Sequence, residues 1–386
     1  MSEVLILTKI IKILFIFAER FSKLFLWYEM KRLFLSFAAV LCCSLCLCQE
    51  AEDEGNTFLV IPRFDVNPYI PSGSASYTGF DLSNTSLYTL IEGAFGDSDF
   101  SYSIEGHLLS TDPSSLYANS FRSDEVNWLD WANVTYAPGN WYFTLGKDIL
   151  SIGSFEEDEY DFDQHINLCS SLWNNLQVYQ WSAKAAWAND DGSLDASFQV
   201  ASSPYGARPF KSGLYAYSLA LRSEGDSFYS YNSLNALGCG DKAYVLVVSS
   251  GNKLIFNDFE IGLDATFRGY DFDFNELSLI AFTKWSASEN FNLTLKGGYE
   301  RLNGSEDVFG WNPALDGEDP HDYFVPASLA LINAYGDSYF FAGATASCYP
   351  CDNLRLHTAL AANNWSRSLS VNIGATYFLD IKRLFK

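Results

Sequence analysis

Basic charge is what this chain has least of. Its 386 residues carry 24 Lys and Arg against 47 Asp and Glu, a formal charge of −23. That deficit excludes nucleic acid as a partner, because phosphate contacts need clustered Lys and Arg. Histidine is scarcer still: His107, His165, His321 and His357 are the whole supply. No HExxH, no GxSxG and no Cys/His zinc spacing accompanies them. No Asp-x-Asp-x-Asp-Gly loop with a later Glu occurs, so the calcium signature is missing too. Asp163 beside His165 is the one local pair a hydrolase could use. The chain therefore reads as a non-enzyme without metal or cofactor. Beyond the N-terminal region no apolar run reaches the ~18 residues of a spanning helix. Strands are not excluded, because each one alternates and gives little hydropathy signal. There is no Pro/Ser linker, low-complexity tract or clear repeat, which argues against a domain break.

Aromatics are abundant, with 31 Phe, 23 Tyr and 10 Trp. With many Ser, Asn and Gly, this is a β composition. The N-terminal region is a targeting signal. Lys31 and Arg32 follow Met30, Leu33 to Leu47 is apolar, and Cys46-x-Cys48 puts small residues before Gln49. Residues 30–48 read as a secretory signal peptide. A lipoprotein is disfavoured because Leu45 and Leu47 precede the acceptor cysteines. Residues 1–29 read as an upstream extension from a start placed too early, and 49–386 as the exported domain. Residues 1–48 hold 6 of the basic and 3 of the acidic side chains, so Gln49 onward carries 18 and 44, net −26.

Runs of about ten alternating residues recur along that domain. In one, Phe259, Ile261, Leu263, Ala265 and Phe267 alternate with Glu260, Gly262, Asp264, Thr266 and Arg268. Similar runs start at Phe100, Ser193, Phe291 and Leu369. Successive strand side chains point to opposite faces, so each run has an apolar and a polar face. A soluble sandwich would turn the apolar face inward, whereas a membrane barrel turns it outward. The barrel is favoured by run length, by aromatics near run ends and by the connections. Short turns at Gly96–Ser98, Pro138–Asn140, Asn189–Gly192, Glu224–Asp226, Asn257–Asp258 and Ala287–Asn290 alternate with longer connections. Seventeen candidate strands emerge, and an even number is required. Sixteen is expected, with eighteen next, and the miscount is placed between Asp307 and Cys351. The expected fold is a single antiparallel transmembrane β-barrel.

The stretch Asn127–Ser171 organises the rest. Two aromatic-rich runs flank Pro138–Asn140, and the second opens into an acidic segment without helical period. This third outer loop is expected to fold into the lumen. The segments SLYTLIEG, LYANSFRSDEVNWLDWANVTY, FTLGKDILSIGSFEEDEYDFDQH, VYQW, SPYG and KGGYE, between Ser86 and Glu300, resemble the porin-like outer-membrane proteins of Bacteroidota. Gly146-Lys147 before the loop is similar to diffusion porins in general. The resemblance implies a water-filled barrel and, by analogy, a homotrimer. It implies no particular solute.

Within the loop, Glu156, Glu157, Asp158, Glu159, Asp161 and Asp163 are the candidate constriction, since carboxylate rings favour cations. A solvated outer loop is the plainer reading. Crowding raises carboxyl pKa values unless a cation sits opposite, and Lys296, Arg268 and Arg355 have the parity to do so. The residues expected to line the lumen are Glu105, His107, Asp195, Glu260, Asp264, Arg268, Lys296, Glu300, Arg355 and His357. Cys348-Tyr-Pro-Cys351 is expected at a turn, as a disulfide or two thiols, and Cys169 and Cys239 in loops. The resulting expectation is an outer-membrane porin in contact with lipid, passing small hydrophilic solutes with a mild cation bias. A surface adhesin or receptor acting through loops 111–126 and 303–322 is the alternative, and an outer-membrane hydrolase comes behind it.

Overall fold

A computed structural model describes residues 56–71, 79–81, 85–96, 98–110, 129–156, 178–206, 213–240, 243–270, 273–301, 338–364 and 368–382. It also describes 163, 165, 168–170, 172, 173 and 176. The extension 1–29 and the signal peptide 30–48 lie outside the described residues. So do Glu157, Asp158, Glu159 and Asp161 and the loops 111–126 and 303–322.

The described chain is a run of strands: β1 (Thr57–Pro71), β2 (Gly79–Asp81), β3 (Ser86–Ala94), β4 (Phe100–Ser110), β5 (Leu129–Tyr136) and β6 (Trp141–Ile149). Then come β7 (Tyr179–Ala188), β8 (Leu194–Ser202), β9 (Tyr215–Gly225), β10 (Phe228–Gly240), β11 (Ala243–Phe256) and β12 (Phe259–Tyr270). The last are β13 (Asp273–Ser288), β14 (Phe291–Arg301), β15 (Ser338–Cys351), β16 (Leu354–Asn363), β17 (Ser368–Tyr377) and β18 (Leu379–Asp380). From β3 to β17 each strand pairs antiparallel with the next. β1 closes the ring, pairing with β3 on one edge and β17 on the other. The short β2 and β18 also pair with β1, beyond the ends of β3 and β17. Sixteen long strands thus form a closed wall, and closure removes the free edges that invite aggregation.

β14 pairs directly with β15, so residues 302–337 insert no strand between them. The stretch where the rhythm read from the sequence fails, Asp307 to Cys351, lies outside the described residues up to Asp337 and then runs into β15. Two-residue hairpins need positive φ, and Asn257 supplies it at +49°. Gly139 does the same in the β5–β6 turn at +61°.

The wall is apolar outside and polar inside. Ile261, Leu263 and Phe267 are 44, 52 and 44 % exposed on the outer face, while Asp264 and Arg268 between them are 4 and 5 % exposed. Aromatic rings collect at the short-turn rim, with Phe100 stacked on Tyr136 at 4.6 Å and Phe259 on Trp285 at 6.0 Å. Cys239 was expected in a loop but stands in β10, whose pairing with β11 carries a register shift at Gly238/Gly240. Cys348 and Cys351 are both in β15, across a second shift.

Candidate functional site

At Ile149 the chain leaves the wall and turns inward. Gly146 prepares this with φ +141°, and a Cβ there would lie 2.7 Å from Asn133 Cα and run into the Ala132 carbonyl. Only glycine fits so close a backbone approach. Leu150 and Ile152 are fully buried and pack with the inward residues Ala201, Ala216, Leu237, Val245 and Val247. Gln199 on β8 binds both sides of this entrance. Its Nε2 donates to Ile149 O at 2.9 Å, and its Oε1 accepts from Ser151 N at 3.0 Å. Ser233 on β10 donates to the Ile152 carbonyl.

The segment then crosses to strand after strand. On β12, Asp264 Oδ2 accepts from Phe155 N at 2.9 Å and Ser154 Oγ at 3.1 Å. On β14, Lys296 Nζ meets Glu156 Oε1 at 2.7 Å, and that carboxylate also accepts from Ser170 N. On β16, Arg355 pairs with Asp163, and the His165 ring lies 5.4 Å from that of His357. Leu168 packs among Ile280, Tyr339, Phe341, Ala359 and Ala361. The described residues of the segment after β6 therefore lie against inward side chains of β8, β10, β12, β14 and β16. The wall makes room with inward glycines. A Cβ at Gly251 would collide with Asp264 and crowd Phe155 at 3.2 Å, and one at Gly343 would meet Leu168 Cδ2 at 2.5 Å.

No family model and no curated protein matches the sequence. Solved structures do match. The outer membrane channel DcaP of Acinetobacter baumannii aligns over 86 % of this chain and 100 % of its own, at 13 % identity and TM-score 0.53. The trimer form of OmpT, an outer membrane protein of Vibrio cholerae, covers 85 and 100 % at 10 % identity and TM-score 0.53. A mutant of Rh. blastica porin covers 84 and 100 % at 11 % identity and TM-score 0.51. The fold is that of the outer-membrane barrels. At such identities the likeness extends to the fold alone.

Of the residues read from sequence, Asp264, Lys296, Arg355 and His357 face the loop directly, together with its own Glu156 and Asp163. Arg268, a candidate partner for the acidic loop, instead pairs with Glu276 at 3.2 Å and Glu300 at 3.7 Å. His107 binds the buried Asp130 at 2.7 Å, and Glu105 is fully buried nearby on β4. Asp195 sits 3.9 Å from Arg222, and Glu260 touches Lys253 and Lys284. Asp163 and His165 do not act as a pair, since each is engaged by a different residue of β16. The sequence reading missed a network on β1. Asp65 accepts from Arg63 Nε at 3.0 Å and Asn372 Nδ2 at 3.0 Å, and contacts His357 Nε2 at 2.8 Å. The clue was present, because Ile61, Arg63, Asp65 and Asn67 alternate with Val60, Pro62, Phe64 and Val66.

His165 in the loop has its pKa held well below the usual 6.5, first by burial and then by the Arg63 and His357 charges nearby. Asp65 opposes this and Arg355 adds to it. The docked loop thus favours neutral imidazole, so docking is strongest above pH 6.5 and weakens as pH falls below it. Leu168 N donates to His165 O at 2.7 Å. Its amide exchange, corrected for intrinsic rate, is expected to accelerate between pH 6.5 and 5, and His165→Gln to abolish that dependence.

Proposed function

We propose that this chain is an outer-membrane porin, a water-filled channel for passive diffusion of small hydrophilic solutes, without catalytic activity. One observation carries this reading. The wall is apolar outside and charged inside, and described residues of the segment after β6 pack against its inner face. An apolar outer band suits lipid and a polar interior suits water. The narrower kinship with porin-like proteins of Bacteroidota rests on the sequence segments quoted above. A homotrimer is the proposed assembly, by analogy with the trimer form of the Vibrio protein.

The mild cation bias falls to part of the acidic loop. Glu156 and Asp163 are matched by Lys296 and Arg355, which cancels their charge at short range. The bias is assigned to Glu157, Asp158, Glu159 and Asp161. Reversal potentials across a salt gradient in planar bilayers test both claims. Stable open steps with cation preference are expected. Glu157→Gln/Asp158→Asn/Glu159→Gln should move the reversal potential towards zero or to anion preference. A silent, fully folded barrel would defeat the channel reading.

A further inference from the structure

The charges on the inner wall differ in their access to water. On β1 and on β12–β13 some are buried: the Arg63 and Asp65 side chains are 1 and 0 % exposed, and Arg268 and Glu276 are 7 and 6 %. Nearer the short-turn rim of β9–β13 a second group is open. Here the side chains of Lys284, Arg222 and Lys253 are 40, 36 and 25 % exposed. Lys253 lies four residues before the Asn257–Asp258 turn, and Glu260 two residues after it.

We infer that Lys253, Lys284 and Arg222 form an oxyanion-binding subsite on the wall, for the phosphate or carboxylate groups of small solutes. Three observations support it. First, cations outnumber carboxylates three to two: the two oxygens of Glu260 each face one lysine, both at 3.4 Å, and Asp195 lies 3.9 Å from Arg222. Second, these contacts are long for charge-assisted hydrogen bonds, which lie near 2.7–2.9 Å. An incoming oxyanion can therefore compete for the ammonium groups. Third, the cations are held in place. Lys253 Nζ sits 5.1 Å from the Tyr229 ring centroid and 5.6 Å from that of Phe155. Arg222 lies 4.6 Å from the Tyr231 ring centroid. Cation–π contacts of this kind hold the cation beside its ring. The register partner of Lys253 on β12 is Gly262, over which the Phe282 ring folds. Glu156, the carboxylate that follows Phe155, is paired with Lys296.

The inference rests on the channel reading for its role in permeation, and two readouts keep the two apart. Inorganic phosphate or malonate is added on one side of a bilayer containing the full chain. Both should produce concentration-dependent interruptions of the open current. Lys253→Gln/Lys284→Gln should raise the half-blocking concentration about tenfold, near one charge-assisted contact. Glu260→Gln, which removes the competing carboxylate, should lower it by a similar factor. Block by phosphate and not malonate would assign the site to phosphate groups. In parallel, acetylation of Lys253 and Lys284 is followed by mass spectrometry in folded, detergent-solubilised protein with and without phosphate. Protection without conductance would keep the site and remove the channel. Open channels with no block in wild type, or with equal block in wild type and both variants, would overturn the site.

Discussion

Lys296→Met should release the loop from the wall. Glu156 is 2 % exposed and its carboxylate depends on Lys296 Nζ at 2.7 Å and Ser170 N at 3.0 Å. Removing one partner of a buried pair costs roughly 3–5 kcal/mol, because the other charge stays desolvated and unmatched. That cost falls on docking and not on the wall, since Glu156 belongs to the loop and can leave. A loss of 3–5 kcal/mol multiplies the undocked population by about two to three orders of magnitude. Cleavage that tracks this population should accelerate accordingly. A glutamate-specific protease is the probe, with Glu157 and Glu159 as its sites. Glu156→Leu/Lys296→Met, which removes both charges, should return cleavage most of the way to wild type. If the single and double variants are cleaved alike, the pair does not hold the loop.

The sequence disclosed the wall better than its contents. Alternation at Phe259–Arg268 fixed which side chains face in, because a two-residue period admits only two faces and one is greasy throughout. The loop's inward path was also legible in outline, from Gly146-Lys147 and the acidic run. Its partners were only half legible. Lys296 and Arg355 share lumen parity with Arg268, and among the described residues the first two pair with loop carboxylates while Arg268 pairs with Glu276 and Glu300. Parity gives the face but not the height along the barrel, and height depends on strand stagger. Arg268 stands opposite Glu276 in the β12–β13 register, where it pairs with wall carboxylates. The network on β1 escaped for another reason. Its members are brought together only when the first strand closes against the last, with Asp65 opposite Gly374. That Gly374 is itself informative, since a Cβ there would collide with Asp65 and His357.

Closure of the ring is thus secured by buried polar contacts, and Asp65→Ala should weaken it severely. Asp65 is fully buried and its carboxylate gathers three partners from three strands, Arg63 on its own β1, His357 on β16 and Asn372 on β17, while its backbone N donates to Thr85 Oγ1 just before β3 at 2.9 Å. The substitution strips the carboxylate from a guanidinium that is 1 % exposed, which costs about 3–5 kcal/mol. It also breaks the link between the first and last strands, where no neighbouring hairpin holds register. Asp195→Ala offers the contrast. Its partner Arg222 lies 3.9 Å away and both side chains are about a third exposed, so screening by water keeps the pair near 0–1 kcal/mol. Heat-modifiable gel mobility reads the difference directly. Asp65→Ala should lose the folded band at a markedly lower temperature than wild type, and Asp195→Ala should follow wild type. Asp65→Asn, which keeps the shape and part of the hydrogen bonding, should fall between them. If Asp65→Ala melts with wild type, the barrel is closed by backbone pairing alone, and the charged lining of the seam serves solutes instead of the fold.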